Sequence, residues 1–217
     1  MSGSNQTDSK GSARDNLEGL RFSYERKLFD AIDQRFGESV RRGVHDAKTL
    51  LTARRRALLG DAVRVTADLL PEVHATYRSC LDTIGGGFGG DLFVQQSSDY
   101  NANVFADGNR FDVVVYSGLL GDFSLDELRF VLGHELGHVL FGHSVLSVYE
   151  VLENTSGLDP DDAHLLFRWS RAAEISADRI GLLCAGELTV AVTALFKTSS
   201  GLTGVDGDSV LRSFRRQ

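Results

Sequence analysis

Two cysteines, Cys80 and Cys184, are too few for a disulfide framework in a chain of 217 residues. They read as buried or half-buried free thiols, not as metal ligands, so a reducing compartment is expected and the localisation is taken as cytoplasmic. Long apolar runs are also missing. A membrane-crossing helix needs about 18 or more consecutive apolar residues. The longest candidate, Leu182 to Phe196, is shorter and contains Glu187, so it reads as a core helix and no membrane insertion is expected. The opening residues from Met1 to Asp8 are polar and lack the apolar centre of a signal peptide. Excess positive charge is absent too: 23 Lys and Arg face 30 Asp and Glu, a net charge of −7, which argues against nucleic acid as a partner. The one basic cluster, Arg54-Arg55-Arg56 with Lys48 nearby, reads as a solvated helix face. Only two prolines occur, Pro71 and Pro160, and both sit where a helix starts.

A hydrophobic fraction of 42% is ordinary for a chain that buries a core. The length suits one domain, or one domain with a helical extension. Residues 1–13 are rich in Ser, Gly, Asn and Asp and read as a disordered tail. Residues 14–60 read as an N-terminal helical extension, with Leu17, Leu20, Tyr24, Leu28 and Ile32 at helical spacing. Gly37 and Gly43 are candidate breaks, and a second amphipathic stretch runs from about Asp46 to Leu70. Residues 61–217 form the expected main domain. Within it Pro71 opens a helix to about Ile84, and Gly85 to Gly90 is a loop or hinge. Strands follow at Leu92–Gln95, Asn103–Ala106 and Arg110–Tyr116, with Asp107-Gly108 as a hairpin signal between the last two. Helices are expected at Leu188–Lys197 and Ser209–Arg215. No internal repeat is evident. The fold class is α+β: mainly helical, with a small β-sheet beside one central helix.

The chemistry concentrates in His134-Glu135-Leu136-Gly137-His138. Positions four apart lie on one face of an α-helix, so His134 and His138 point the same way and can grip one Zn²⁺. Glu135 projects to the side, where it can reach a water at the metal without being a ligand, as a general base must. The helix has its own start signal. Ser124 and Glu127 make a capping box, and Asp126 and Glu127 complement the helix dipole. Leu128, Val131, Leu132, Leu136, Val139 and Leu140 supply a broad apolar surface. Gly133 and Gly137 are poor helix formers and suggest close packing, expected against a neighbouring strand.

A catalytic zinc usually takes three protein ligands and keeps one position for water. A second helix, capped by Asp159 with Pro160 in its first turn and stopped near Gly186, offers Glu174 as third ligand. Asp161, Asp162 and Asp178 are alternatives. Asp178 lies four residues after Glu174, on the same face. It can accept a hydrogen bond from the free ring nitrogen of a ligand histidine, which fixes the tautomer of that ring.

From about Leu69 to Gly186 the chain resembles the M48 family of zinc metallopeptidases, which includes the Ste24 and HtpX proteases. Leu132 to His138 with Gly142-His143 is similar to that family's extended HExxH segment. Ser170-Arg171-Ala172-Ala173-Glu174-Ile175-Ser176-Ala177-Asp178 resembles its second motif. Asn103-Val104-Phe105-Ala106-Asp107-Gly108 and Val113 to Leu120 resemble the elements leading to the active-site helix. The resemblance implies one Zn²⁺ per chain at His134, His138 and Glu174, with Glu135 as base, Asp178 behind a ligand histidine, and Asn103 beside the substrate groove. It implies peptide or protein substrates and a metalloendopeptidase activity. The chain departs from many relatives in having no membrane-spanning segment. The last histidine is His164, so a downstream histidine found near the metal in some relatives has no counterpart.

The strand Asp112–Tyr116 is the candidate sheet edge on which an extended substrate would pair, which places Val114 and Val115 in the binding groove. The group that stabilises the oxyanion stays open among Arg179, Tyr149, His143, Arg212 and Arg215. His143, five residues beyond His138, would turn about 500° along a continuing helix and face away from the ligands. Two other functions compete: a latent or inactive zinc scaffold governed by a partner or by the N-terminal helices, and a zinc hydrolase of non-peptide amides. Oligomeric state is not legible.

Overall fold

The computed structural model describes residues 16–86, 89–107, 110–155 and 157–216. The expected tail 1–13 lies outside them, as do Gly87 and Phe88 of the glycine-rich loop and Gly108 of the hairpin turn. The elements are, in order, α1 (Glu25–Asp61), β1 (Val63–Arg64), α2 (Pro71–Thr83), β2 (Gly89–Gln95), β3 (Ala102–Asp107), β4 (Arg110–Tyr116) and α3 (Ser117–Asp122). Then come α4 (Leu125–Phe141), a 3₁₀ turn at His143–Val145, α5 (Val148–Asn154), α6 (Pro160–Ala185), α7 (Leu188–Ser200) and α8 (Gly207–Phe214). The fold is α+β, helices dominating over one four-stranded mixed sheet.

The sheet order is β1-β2-β4-β3. β2 and β4 run parallel, while β3 and β4 form an antiparallel hairpin with Ala102 opposite Val115 and Asp107 opposite Arg110. This corrects the expectation that the strand Asp112–Tyr116 is an edge. β4 lies between β2 and β3, and the edges are β1 and β3. The run Val113-Val114-Val115 had the signature of a strand covered on both faces: it is uniformly apolar, where a half-exposed strand alternates. Val113 and Val115 join the main core with Leu92, Leu119, Leu132 and Leu136, while Val114 packs with Phe93 against Leu58 of α1 on the opposite face.

Helix α1 is longer and less broken than its glycines suggest. The backbone leaves helical geometry at Phe36 (φ −121°, ψ 19°), just before Gly37, and Gly43 is helical. The second stretch expected to reach Leu70 stops at Asp61, because the β-branched cluster Val63, Val65 and Thr66 turns the chain into β1, which pairs with β2. α1 contributes Ile32, Phe36 and Val40 to a second core with Leu146, Val148, Val151, Leu166 and Trp169. Of the three arginines in the basic cluster Arg56 is exposed, but Arg54 and Arg55 are half-buried and engaged. Arg55 pairs with Asp91 of β2 and with the buried Asp112 of β4, and Arg54 lies over the Phe105 ring at 4.9 Å. Burial raises the pKa of Asp112 while the Arg55 charge opposes that rise. The side chain of Lys48 lies outside the described residues.

The two central helices meet the expectations for their ends. Ser124 accepts from the Glu127 amide while Glu127 accepts from the Ser124 amide, and Gly142 closes α4 in the left-handed conformation (φ 71°). Asp159 caps α6 and Gly186 ends it (φ 75°). Helices α3 and α5 were not read from the sequence. Among the described residues no helix is long and apolar enough to cross a membrane.

Candidate metal centre

The glycines of α4 explain how two helices come together at the site. They pack against helix α6 and not, as expected, against a strand. A Cβ on Gly133 would stand 2.7 Å from Cβ of Cys184, and one on Gly137 would stand 2.8 Å from Cα of Ala177. Only hydrogen fits at both places. The result is that the histidines of α4 face the acidic face of α6 at ligand distance.

His134 Nε2 and His138 Nε2 are 3.1 Å apart. Glu174 Oε2 lies 3.3 Å from the first and Oε1 lies 3.8 Å from the second. A tetrahedral zinc with bonds of about 2.0–2.1 Å requires ligand atoms about 3.3 Å from one another, so the donor set fits that ion. Among the described residues, His134, His138 and Glu174 are the group of His, Cys, Asp or Glu side chains that could hold a metal. Asp161 and Asp162, the sequence alternatives, sit in the first turn of α6, where Asp162 pairs with Arg35 at 2.8 Å.

Each histidine is held from behind. His134 Nδ1 lies 2.9 Å from Asp178 Oδ1. His138 Nδ1 lies 2.8 Å from His143 Nδ1, whose Nε2 is 3.0 Å from Glu25 Oε1. The His143 contact corrects the angular argument that turned it away. The helix does not continue: Gly142 ends α4 and the following 3₁₀ turn brings the His143 ring against His138. His143 is buried, as a helix-end core residue would be, and its ring meets Trp169 edge-on at 6.0 Å. Glu25, also buried, accepts a hydrogen bond from Ser176, two residues past Glu174, and faces Arg21 at 3.5 Å. Nothing in the sequence pointed to Glu25; its partners His143 and Ser176 lie more than a hundred residues away.

The electrostatics of the site are divided. Burial opposes a charge on His134, but hydrogen bonds to Asp178 and Glu174 outweigh it and push its pKa up to about 10. His138 is pushed down to about 3 by burial and by the neighbouring His134 charge. Glu135 is pushed up to about 7, mainly by burial and also by the Glu174 charge, while His134 and the Val104 amide pull it down.

A cleft of about 380 Å³ opens over these groups, lined by Asn101, Asn103, Val104, Glu135, Ser144 and Glu174 among others. No described residue of α1 lines it. Asn103 therefore borders the cleft, whereas Val114 and Val115 do not: both are fully buried in the central strand β4. The groove is bounded by β3 instead. Of the oxyanion candidates only His143 reaches the cleft, and both its ring nitrogens are engaged. Tyr149 is exposed outside it, and Arg179 donates to the Leu20 carbonyl at 3.1 Å. Arg212 and Arg215 belong to the end of α8, away from the cleft lining.

Two imidazoles one turn apart and a carboxylate from a second helix form a group that could hold a metal ion, with a buried acid beside it and an edge strand alongside. Residues 70–158 match the profile of Peptidase family M48. That stretch contains His134, Glu135 and His138 but ends before Glu174. The chain is 29% identical over 169 residues to the plastoglobule-localized metallopeptidase 48 of Arabidopsis thaliana, covering 73% of this chain and 49% of that protein. It is 29% identical over 133 residues to the metalloprotease YcaL of Escherichia coli, covering 52% of this chain and 51% of that protein. A 60-residue stretch is 52% identical to the protease HtpX of Stutzerimonas stutzeri, covering 26% of this chain and 21% of that protein. The chain thus spans about half the length of the first two relatives and about a fifth of the third. No solved structure matches.

Proposed function

We propose that the chain is a zinc-dependent endopeptidase, binding one Zn²⁺ through His134, His138 and Glu174. The observation that carries this is that the two Nε2 atoms lie 3.1 Å apart with the Glu174 carboxylate 3.3 Å and 3.8 Å from them through its two oxygens, beside Glu135 in a cleft bordered by a strand edge. Bound zinc would supply Lewis acidity to a water and to the scissile carbonyl.

The chain's own residues do the rest. Glu135 accepts a proton from the attacking water and returns it to the leaving amine. A carboxylate whose pKa is near neutral can do both. Asp178 keeps the Nδ1 proton on His134, so that Nε2 presents its lone pair. The substrate pairs with β3. In the hairpin Tyr116 N–H donates to the Asn101 carbonyl, so by antiparallel alternation Asn101, Asn103 and Phe105 bond inward to β4. Ala102, Val104 and Ala106 then present their backbone groups outward, and the Val104 amide already reaches Glu135. An added peptide strand there would gain backbone bonds and lay its carbonyl over the metal position. Peptide or protein substrates follow, and Cys80 and Cys184, both free, suit a reducing compartment such as the cytoplasm.

The test is cleavage of an unbiased peptide library by wild type and by Glu135→Gln, with and without a chelator. Cleavage by wild type alone, lost with chelator, is expected. Equal cleavage by Glu135→Gln would refute the proposal.

A further inference from the structure

Asp178 fixes His134 directly, but His138 has no carboxylate of its own. Its Nδ1 meets another imidazole, His143. Two neutral imidazoles in contact do not settle which one donates, and the wrong choice would place a proton on His138 Nε2, the atom that must face the ion. The direction has to be imposed from further out.

Glu25 is placed to impose it. Its side chain is 2% exposed and accepts from His143 Nε2 at 3.0 Å. An ionised carboxylate can only accept, so His143 Nε2 carries the hydrogen. In neutral His143 the Nδ1 is then the acceptor, so the His138 Nδ1 it touches must donate. That leaves His138 Nε2 bare, 3.1 Å from His134 Nε2 and facing Glu174. We propose that Glu25, acting through His143, is a positioning residue that sets the tautomer of His138, and that α1 is therefore part of the metal centre. This rests on the zinc reading above.

The surroundings of Glu25 agree. Ser176 and Arg21 also hydrogen-bond or pair with it, and together with His143 they hold its pKa below the usual carboxylate range against the effect of burial. It lies in the first turn of α1, where the helix dipole favours negative charge. Arg21 at the same time donates to the Phe141 carbonyl at the end of α4, tying the entrance of α1 to the helix that bears both histidines. Ser176 accepts from the Phe22 amide at 2.9 Å, which anchors the same segment to the Glu174 helix. Glu25 lies well before residue 70, where the family match begins. The segment 14–60 would thus belong to the peptidase unit and not be an appendage to it.

The experiment measures zinc affinity of the full chain by competition with a chromophoric chelator, alongside ¹⁵N NMR of the histidine rings in the metal-free protein. Losing an outer partner of a ligand histidine typically lowers metal affinity about 10- to 100-fold. Glu25→Met and His143→Phe should each show that loss, and the double variant should be no worse than His143→Phe, because the two act in series. Glu25→Gln, whose carbonyl can still accept from His143, should recover most of the affinity. Wild-type His138 should be protonated at Nδ1, and Glu25→Met should shift protonation towards Nε2. If Glu25→Met does not fold, His143→Phe carries the test, since a phenyl ring fills the same space against Trp169. Unchanged zinc affinity and an unchanged His138 tautomer in these variants would overturn the proposal while leaving the zinc site standing. Wild type that binds no zinc would overturn the zinc reading and this inference with it.

Discussion

Gly137→Ala tests whether the approach of two helices, more than local helix preference, builds the metal centre. The added methyl would stand 2.8 Å from Cα of Ala177, 3.2 Å from its carbonyl oxygen and 3.2 Å from Cβ of Ile180. Carbon atoms pack at about 3.5–4.0 Å, so α4 and α6 would have to part by roughly 0.7–1.2 Å. The nearest obstacle is backbone and cannot swing aside. Overpacking of this kind costs about 1–3 kcal/mol, while alanine over glycine in a helix returns about 1 kcal/mol. A net loss near 1 kcal/mol would lower the Tm by about 2–4 °C in a chain of this size. Gly60, in α1 with nothing within 4 Å of its would-be Cβ, is the control, and Gly60→Ala should raise the Tm slightly. Zinc should respond more strongly than stability, because Ala177 lies between Glu174 and Asp178. Ligand distances tolerate only about 0.2 Å, so a parted helix pair should cost roughly tenfold or more in affinity. Thermal unfolding of the metal-free protein and chelator competition give both readouts. If Gly137→Ala melts at or above wild type with unchanged zinc affinity, the close approach does not set the site.

Four further outcomes are expected. Glu135→Gln should retain full zinc content by metal analysis while kcat falls about 10²–10⁴-fold, the usual worth of a general base. Glu174→Ala should lower zinc stoichiometry in dialysed protein; unchanged content would move the third ligand elsewhere. Val104→Pro removes an amide that faces the cleft from an edge strand, where proline is tolerated. The Tm should hold while kcat/KM drops about 10-fold or more, and a variant of normal activity would refute pairing at β3. Zinc uptake should release a proton. His134, with a pKa raised to about 10, is protonated at neutral pH and must lose that proton to bind. Affinity should therefore rise about tenfold per pH unit from pH 7 towards the pKa, as titrations in buffers of different ionisation heat will show. The sign reverses for the metal-free fold. A pKa raised from 6.5 stabilises that state below about pH 6.5, and the contribution is lost as pH climbs through about 10.

The helices of the site could be read from the chain because their signals are local. The Ser124–Glu127 capping box, the Asp159 cap with Pro160, and the terminal Gly142 and Gly186 all act within one turn of backbone. The same holds for the four-residue spacing that puts His134 beside His138, and for α6 turning Glu174 and Asp178 to one side. What could not be read depends on neighbours remote in sequence. Val114 and Val115 look like any apolar strand; only the pairing of β4 with β2 and β3 makes them interior. Gly133 and Gly137 announced a close contact but not its partner, since Cys184 and Ala177 lie some forty to fifty residues on. His143 was misjudged because a helix was extended past its glycine stop.

Local periodicity and side-chain chemistry were enough to propose zinc, with His134 and His138 as ligands and Glu135 as base, since that proposal follows from the geometry of one helix. Which strand borders the groove, and which buried carboxylate stands behind His143, were settled by packing. A sheet order and a contact between residues 25 and 143 depend on how distant segments share one core. No pattern within a few turns of chain can encode them.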